Sequence, residues 1–222
     1  SIDTVSEMMI LHLAVIALTH FLIFITVKQI NKSDKTAFVA NIFYFLWQPY
    51  LEGNTLWIDS FIPLLFLPAS LYFFKKKYSL SGLALGLAMV MKQVVAPLAL
   101  ILSLYLLVTR QYKALKSFVI WSALPILLMF FYILNQGSWD EFFYWTITFN
   151  ITTFAEMGRK YATTNDLFKI GAIFSPAIIY SIFLIYKKSE KAVFAVLFFG
   201  ALIFAYARFD LVHLQPALPF VA

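Results

Sequence analysis

Apolar residues run along this chain in long stretches, broken at short intervals by clusters of lysine and arginine. A helix that crosses a bilayer needs about 20 mostly apolar residues. The first such run is Glu7–Val27. It is followed by Ala37–Pro49, Leu56–Phe74, Leu80–Met91, Val94–Val108, Phe118–Leu134, Leu167–Tyr186 and Ala192–Ala207, and a ninth run begins at His213. The first run is too polar at its start and too long for a secretory signal. No basic segment precedes it and no small-residue cleavage site follows it. Ala37–Pro49 is short, and so are Leu80–Met91 and Val94–Val108, which Lys92 and Gln93 separate. Short spans are tolerated where they face protein or a cavity rather than lipid. The pattern predicts an all-α, polytopic transmembrane helical bundle of about eight passes plus the start of a ninth.

Basic residues in short loops mark the cytoplasmic side of a membrane protein. Four loops carry them here: Lys28/Lys32/Lys35, Lys75/Lys76/Lys77, Arg110/Lys113/Lys116 and Lys187/Lys188/Lys191. With all four inside, alternation puts the N-terminus outside. The outer side then receives Asp3, Glu7, Glu52, Asp59, Asp140, Glu141, Glu156, Asp166 and Asp210. Alternation works only if Leu80–Met91 and Val94–Val108 are two passes with Lys92 near their outer ends.

Composition narrows the class. The 222 residues are 62% hydrophobic and only 13% charged, with a mean hydropathy of +0.84. Soluble domains are about 45–50% apolar and about 25% charged. A soluble globule, a disordered chain and a nucleic-acid binder are excluded, so no nucleic-acid partner is expected; membrane lipids are. The chain has no cysteine, which removes disulfides, zinc–thiolate sites and cysteine nucleophiles.

Candidate chemistry gathers on the outer side. Lys92 stands between two apolar helices with no other charge near it in sequence. A membrane-embedded ionisable residue is a functional candidate by default, although a lysine can also snorkel to the headgroups. Gln93 and the two shortened helices suggest a polar recess beside it. Glu52 and Asp59 bring two carboxylates to the membrane boundary in the turn Pro49–Asp59. Asp59 could equally serve the helix dipole, and Glu52 could be a solvated loop residue. Arg208, Asp210, His213 and Gln215 fall together at a span end, followed by Pro216 and Pro219. Arg208 could pair with Asp210, or Arg208 or His213 could bind an anionic headgroup. The loop Asn135–Asp166 is crowded with aromatics from Trp139 to Phe154 and predicts an amphipathic helix in the outer interface. His12 and His20 in the first run lack partners at ligand spacing, so interhelical hydrogen bonds are expected of them rather than metal.

Three segments together resemble a known class. Tyr78-Ser-Leu-Ser-Gly82-Leu-Ala-Leu-Gly86-Leu-Ala-Met-Val-Met-Lys92-Gln93 is similar to a segment of the polytopic C-type glycosyltransferases. The nearest group is family-39-like, the protein mannosyltransferase and aminoarabinose transferase relatives. Glu52-Gly-Asn-Thr-Leu-Trp-Ile-Asp59 resembles the turn opening the next helix in these proteins, and Arg208–Pro219 resembles an outer loop ahead of a later span. The resemblance implies a transferase that moves a sugar from a polyprenyl-phosphate carrier to a lipid or protein acceptor on the outer face, in a bacterial inner (plasma) membrane. It implies that Lys92 contacts the donor phosphate and that an acidic residue in the first outer loop supplies the base or a metal contact. That loop and its span are not visible, so the chain is expected to be a fragment of a longer enzyme. Substrate binding is assigned to Lys92, Gln93, Asp59, Glu52, Arg208 and His213; no catalytic residue is assigned. No cofactor is encoded; a divalent metal could bind, although its ligand set is incomplete. The rival readings are a transporter or flippase for a lipid-linked sugar, which would need a polar path to the inner face, and a noncatalytic membrane scaffold.

Overall fold

The computed structural model describes residues 2–51, 56–154, 161–203 and 210–222, and the side chains of all of these except 2–5 and 154. Every regular element among them is helical. Helix α1 is Ile2–Asn31, and α2 is Asp34–Trp47, extended by a 3-10 turn at Gln48–Leu51. Helices α3 (Ile58–Phe74), α4 (Tyr78–Met91), α5 (Ala96–Val108) and α6 (Tyr112–Asn135) follow. A short α7 (Trp139–Phe143) runs into two π-helical turns, Tyr144–Thr148 and Asn150–Phe154. Then come α8 (Thr164–Tyr186), α9 (Ala192–Ile203) and a 3-10 segment, Leu211–Phe220.

Local chemistry sets several of these boundaries. Ser33 caps α2, its hydroxyl accepting from the Thr36 N–H at 3.1 Å. Thr163 and Asp166 form a reciprocal capping box at the start of α8, with bonds of 3.2 and 3.0 Å. Lys32, Lys76, Arg110 and Lys188 close the turns after α1, α3, α5 and α8, and each has a left-handed backbone, with φ of 57°, 59°, 57° and 50°. Three of these turns are Schellman motifs: after α3 the Lys77 N–H reaches the Tyr72 carbonyl at 2.8 Å and the Lys76 N–H reaches the Phe73 carbonyl at 2.9 Å. Glycine normally takes this position, because a Cβ there costs roughly 1 kcal/mol. A cation compensates in part by sitting against the unpaired carbonyls at the helix end.

The four basic turns lie at one end of the bundle. Lys191 reaches Asn31 at 3.1 Å, joining the α8–α9 turn to the end of α1. Lys76 faces Glu190 at 4.0 Å, and Tyr78 donates to Gln111 at 2.9 Å, which brings in the α3–α4 and α5–α6 turns. The N-terminus of α3 and the C-terminus of α4 are therefore together at the opposite end.

Helix α4 is held on two sides. Gly82 and Gly86 lie against α6: a Cβ on Gly82 would collide with the Phe118 carbonyl, and one on Gly86 would come within 2.5 Å of the Ser122 carbonyl and 3.0 Å of the Pro125 ring. This is small-residue packing, in which backbones approach closely because no side chain intervenes. The Ser81 hydroxyl donates to the Ala69 carbonyl at 2.8 Å and ties α4 to α3. At the basic end Phe73 meets Tyr78 and Phe118 edge-on, at 5.2 and 5.9 Å. Helix α9 is buried along most of its length, and Gly200 there admits the Leu98 side chain of α5.

Among the described residues three helices are long and apolar enough to cross a membrane: Ser6–Asn31 within α1, and α6 and α8. Their outward faces carry large exposed apolar side chains such as Leu13, Phe131 and Ile179. Helices α3, α4, α5 and α9 are apolar but shorter. Between α1 and α2, His20 Nδ1 meets Asn41 Oδ1 at 2.7 Å and the His20 ring sits edge-on to Tyr44, so His20 does make the expected interhelical bond.

Two expectations change. The run from His213 does not begin an α-helical span: Leu211–Phe220 winds as a 3-10 helix with most of its side chains buried. Pro216 and Pro219 lack the N–H groups that α-helical bonds would need. The aromatic loop is helical from Trp139, but Tyr144–Thr148 and Asn150–Phe154 are wound as π-helix rather than as a regular amphipathic α-helix.

Candidate functional site

The end of the bundle opposite the basic turns holds a buried ionic cluster. Asp59 lies in the first turn of α3, where a carboxylate is favoured by the helix dipole. Lys92 is the residue at which α4 stops. Its backbone is extended, with φ −151° and ψ 106°, and Gln93–Val95 forms a 3-10 turn before α5 begins with Pro97 in its first turn. Because α3 and α4 are antiparallel neighbours joined at Lys75–Lys77, the start of one and the end of the other meet. The Lys92 ammonium donates to Asp59 Oδ1 at 2.5 Å. The other carboxylate oxygen, Oδ2, lies 3.0 Å from His213 Nδ1 on the terminal 3-10 segment.

The Asp59 side chain is only 4% exposed, whereas Lys92 and His213 keep 19% and 22%. The carboxylate is thus buried between two basic groups that each keep about a fifth of their surface accessible. A second bond pair fixes the segment that carries His213. Gln215 Nε2 donates to the Leu51 carbonyl at 3.0 Å, and Gln215 Oε1 accepts from the Ser60 hydroxyl at 3.0 Å. Ser60 follows Asp59 on α3, so the carboxylate and the imidazole are positioned by adjacent contacts between the same two elements.

Gln93 points elsewhere. Its amide donates to the Thr146 carbonyl at 3.2 Å in the first π-helical turn. Asn150 donates to the same carbonyl at 3.0 Å and to that of Trp145 at 2.9 Å. The aromatic segment is therefore tethered to the residue next to the site cation. Trp139, Phe142 and Phe130 form its packed base, with ring separations of 5.8–6.0 Å, while Trp145 and Tyr144 stay exposed.

Of the six residues singled out in the sequence, Asp59, Lys92 and His213 come together and Gln93 adjoins them. Glu52 and Arg208 lie outside the described residues, as does Glu156. Lys92 is isolated in sequence but not in space: 33 positions separate it from Asp59. The spacing of α3 and α4 across one short turn is the signal that would have paired them. Ser60 and Thr146 carry no charge and gave no comparable signal as site supports; Gln215 stood out only as a neighbour of His213. Among the described residues no group of three His, Cys, Asp or Glu side chains could hold a metal ion. Asp59 and His213 would offer two ligands, but the Lys92 ammonium occupies the same carboxylate and would repel a divalent cation.

A buried carboxylate flanked by two accessible basic groups can receive an anion at those groups and hydroxyl groups at its own oxygens. No curated protein and no solved structure matches the chain. Residues 4–218 match the family model described as glycosyltransferase family 87, so the chain belongs to that family and is a membrane glycosyltransferase.

Proposed function

We propose that the chain forms the donor-binding part of a C-type glycosyltransferase, one that takes its sugar from a polyprenyl-phosphate carrier and delivers it to a lipid or protein acceptor on the outer face. The observation that carries this reading is the Lys92–Asp59–His213 cluster at the end of the bundle opposite the four basic turns. In this reading the basic turns are cytoplasmic, in a bacterial inner membrane, and α1–α6, α8 and α9 make eight passes. The 14 residues of α4 advance about 21 Å at 1.5 Å each, short of a hydrocarbon core of about 30 Å. Lys92 then stands below the outer edge of the hydrocarbon core rather than among the headgroups.

The carrier's phosphodiester exchanges for Asp59 at the Lys92 ammonium, and His213 faces it from the other side. The acceptor hydroxyl oxygen attacks the anomeric carbon, the bond from that carbon to the phosphate oxygen breaks, and the lipid phosphate leaves with the electron pair. A cation fixed where that charge develops lowers the barrier, because it needs no reorganisation in a poorly solvated site. Asp59 bonds sugar hydroxyls, and Glu52 and Arg208 are further candidates for substrate binding. The base that takes the acceptor proton is unassigned. The aromatic segment tethered through Gln93 covers the site and guides the lipid chain.

The test is transfer of radiolabelled sugar from a polyprenyl-phosphate donor in membranes containing the protein. Lys92→Met is expected to lower transfer at least 100-fold per amount of folded protein. Unchanged turnover would remove Lys92 from the mechanism.

A further inference from the structure

A second feature lies at the basic end, away from the ionic cluster. Between α1 and α8 a cavity of about 430 Å³ opens, closed on its inner side by α9 and by Pro219–Ala222. It is bounded by one stripe of each long helix: Ile23, Val27 and Ile30 on α1, and Ile173, Ala177 and Leu184 on α8. These positions recur at intervals of three, four and seven residues, which keeps each set on one helix face. From Ile173 to Leu184 the slot runs about 17 Å along α8, close to half of a ~30 Å hydrocarbon core, the depth of one leaflet.

The walls are apolar and the mouth is not. Lys191 and Asn31 line the slot where it reaches the basic turns, and the Lys191 ammonium donates to Asn31 Oδ1 at 3.1 Å. Glu190, the nearest acid in sequence, is turned toward Lys76. Lys32, Lys187 and Lys188 stand on the same two turns, and Asp34 beside Asn31 is held by Lys28 at 2.7 Å, so the mouth carries a net positive charge. Inside, the hydroxyls of Thr26 and Ser181, both largely buried, also line the space. An apolar channel one leaflet deep, with a cationic amide-lined mouth at the level of the basic turns, matches the two halves of one molecule type.

We propose that this slot holds one acyl chain of an anionic diacyl phospholipid, with the lipid phosphate at Lys191 and Asn31. The site is independent of the donor site and of the function assigned to it. Charge complementarity selects the headgroup, because a polybasic surface attracts anionic lipid over zwitterionic lipid. The stripes of α1 and α8 select a chain that lies along the helices.

The experiment uses the full protein in nanodiscs of equal phosphatidylglycerol and phosphatidylcholine, with retained lipid counted by native mass spectrometry. One phosphatidylglycerol per chain is expected to persist, favoured at least tenfold over phosphatidylcholine. Lys191→Gln, a change at a partly exposed position, is expected to bring the two lipids to near parity without changing thermal stability in detergent. Ala177→Cys provides a single thiol in a chain that has none, and a thiol-linked photo-crosslinker there is expected to capture phospholipid. Equal retention of both lipids by the wild-type protein, or undiminished selectivity in Lys191→Gln, would overturn the proposal. So would capture of a polypeptide segment in place of lipid.

Discussion

The Lys92–Asp59 pair makes a prediction about stability that is separate from catalysis. Replacing Lys92 with methionine removes the ammonium at 2.5 Å from a carboxylate that is 4% exposed and leaves only His213 opposite it among the contacts described above. Removing one partner of a buried pair costs about 3–5 kcal/mol, since the other charge stays behind without compensation. Lys92 keeps 19% of its surface and His213 remains, so the lower end applies, about 3 kcal/mol. Asp59→Asn leaves an ammonium that can turn toward water, at about 2 kcal/mol. The double variant leaves neither charge stranded and is expected to cost about 3 kcal/mol rather than about 5, a coupling of about 2 kcal/mol. The measurement is reversible unfolding in mixed micelles, titrated with a denaturing detergent and followed by tryptophan fluorescence. Single variants whose effects simply add, within about 0.5 kcal/mol, would refute the pairing as a stabilising contact. A double variant that recovers stability but not transfer would separate the fold from the chemistry.

Other outcomes follow from the packing. Gly86→Val should separate α4 from α6 and cost about 1–3 kcal/mol, read as a lower melting temperature, whereas Gly171→Ala, with open space around its Cβ, should be neutral or stabilise by up to about 1 kcal/mol. Gln215→Leu leaves the Leu51 carbonyl and the Ser60 hydroxyl without this partner and should cost about 1–3 kcal/mol; transfer should fall as His213 loses its position, measured with the labelled donor. Lys76→Val should destabilise by about 1–2 kcal/mol in the same unfolding assay, because a β-branched side chain is strained at φ 59°, while Lys76→Asn should change little.

The helix positions were legible because apolar runs and basic clusters are properties of contiguous sequence. The expected runs Leu80–Met91 and Leu56–Phe74 differ from α4 and α3 by two residues at one end. The Gly82–Gly86 run stood out as part of a resemblance, but its structural use is contact with Phe118, Ser122 and Pro125, which only the folded chain discloses. Lys92 stood out as a charge among apolar neighbours. Asp59 stood out as well, as a boundary carboxylate, but its pairing with Lys92 did not, because its place at a helix N-terminus was already a sufficient explanation. The terminal 3-10 segment was misread because apolarity alone does not distinguish a lipid-facing helix from a buried one; Pro216 and Pro219 were noted in the sequence but not carried through to their effect on winding.

The four left-handed lysine and arginine turns have a consequence for how this bundle is made. At each of them the residue that closes a hairpin is also a cation of the kind that biases which side of a membrane a short loop stays on. Glycine would fold the corner with less strain and weaken the cue that orients the segment during insertion. Substitutions there should therefore divide in their effects, yielding chains that are locally sound yet threaded the wrong way, a failure that a melting curve on the correctly inserted fraction would never register.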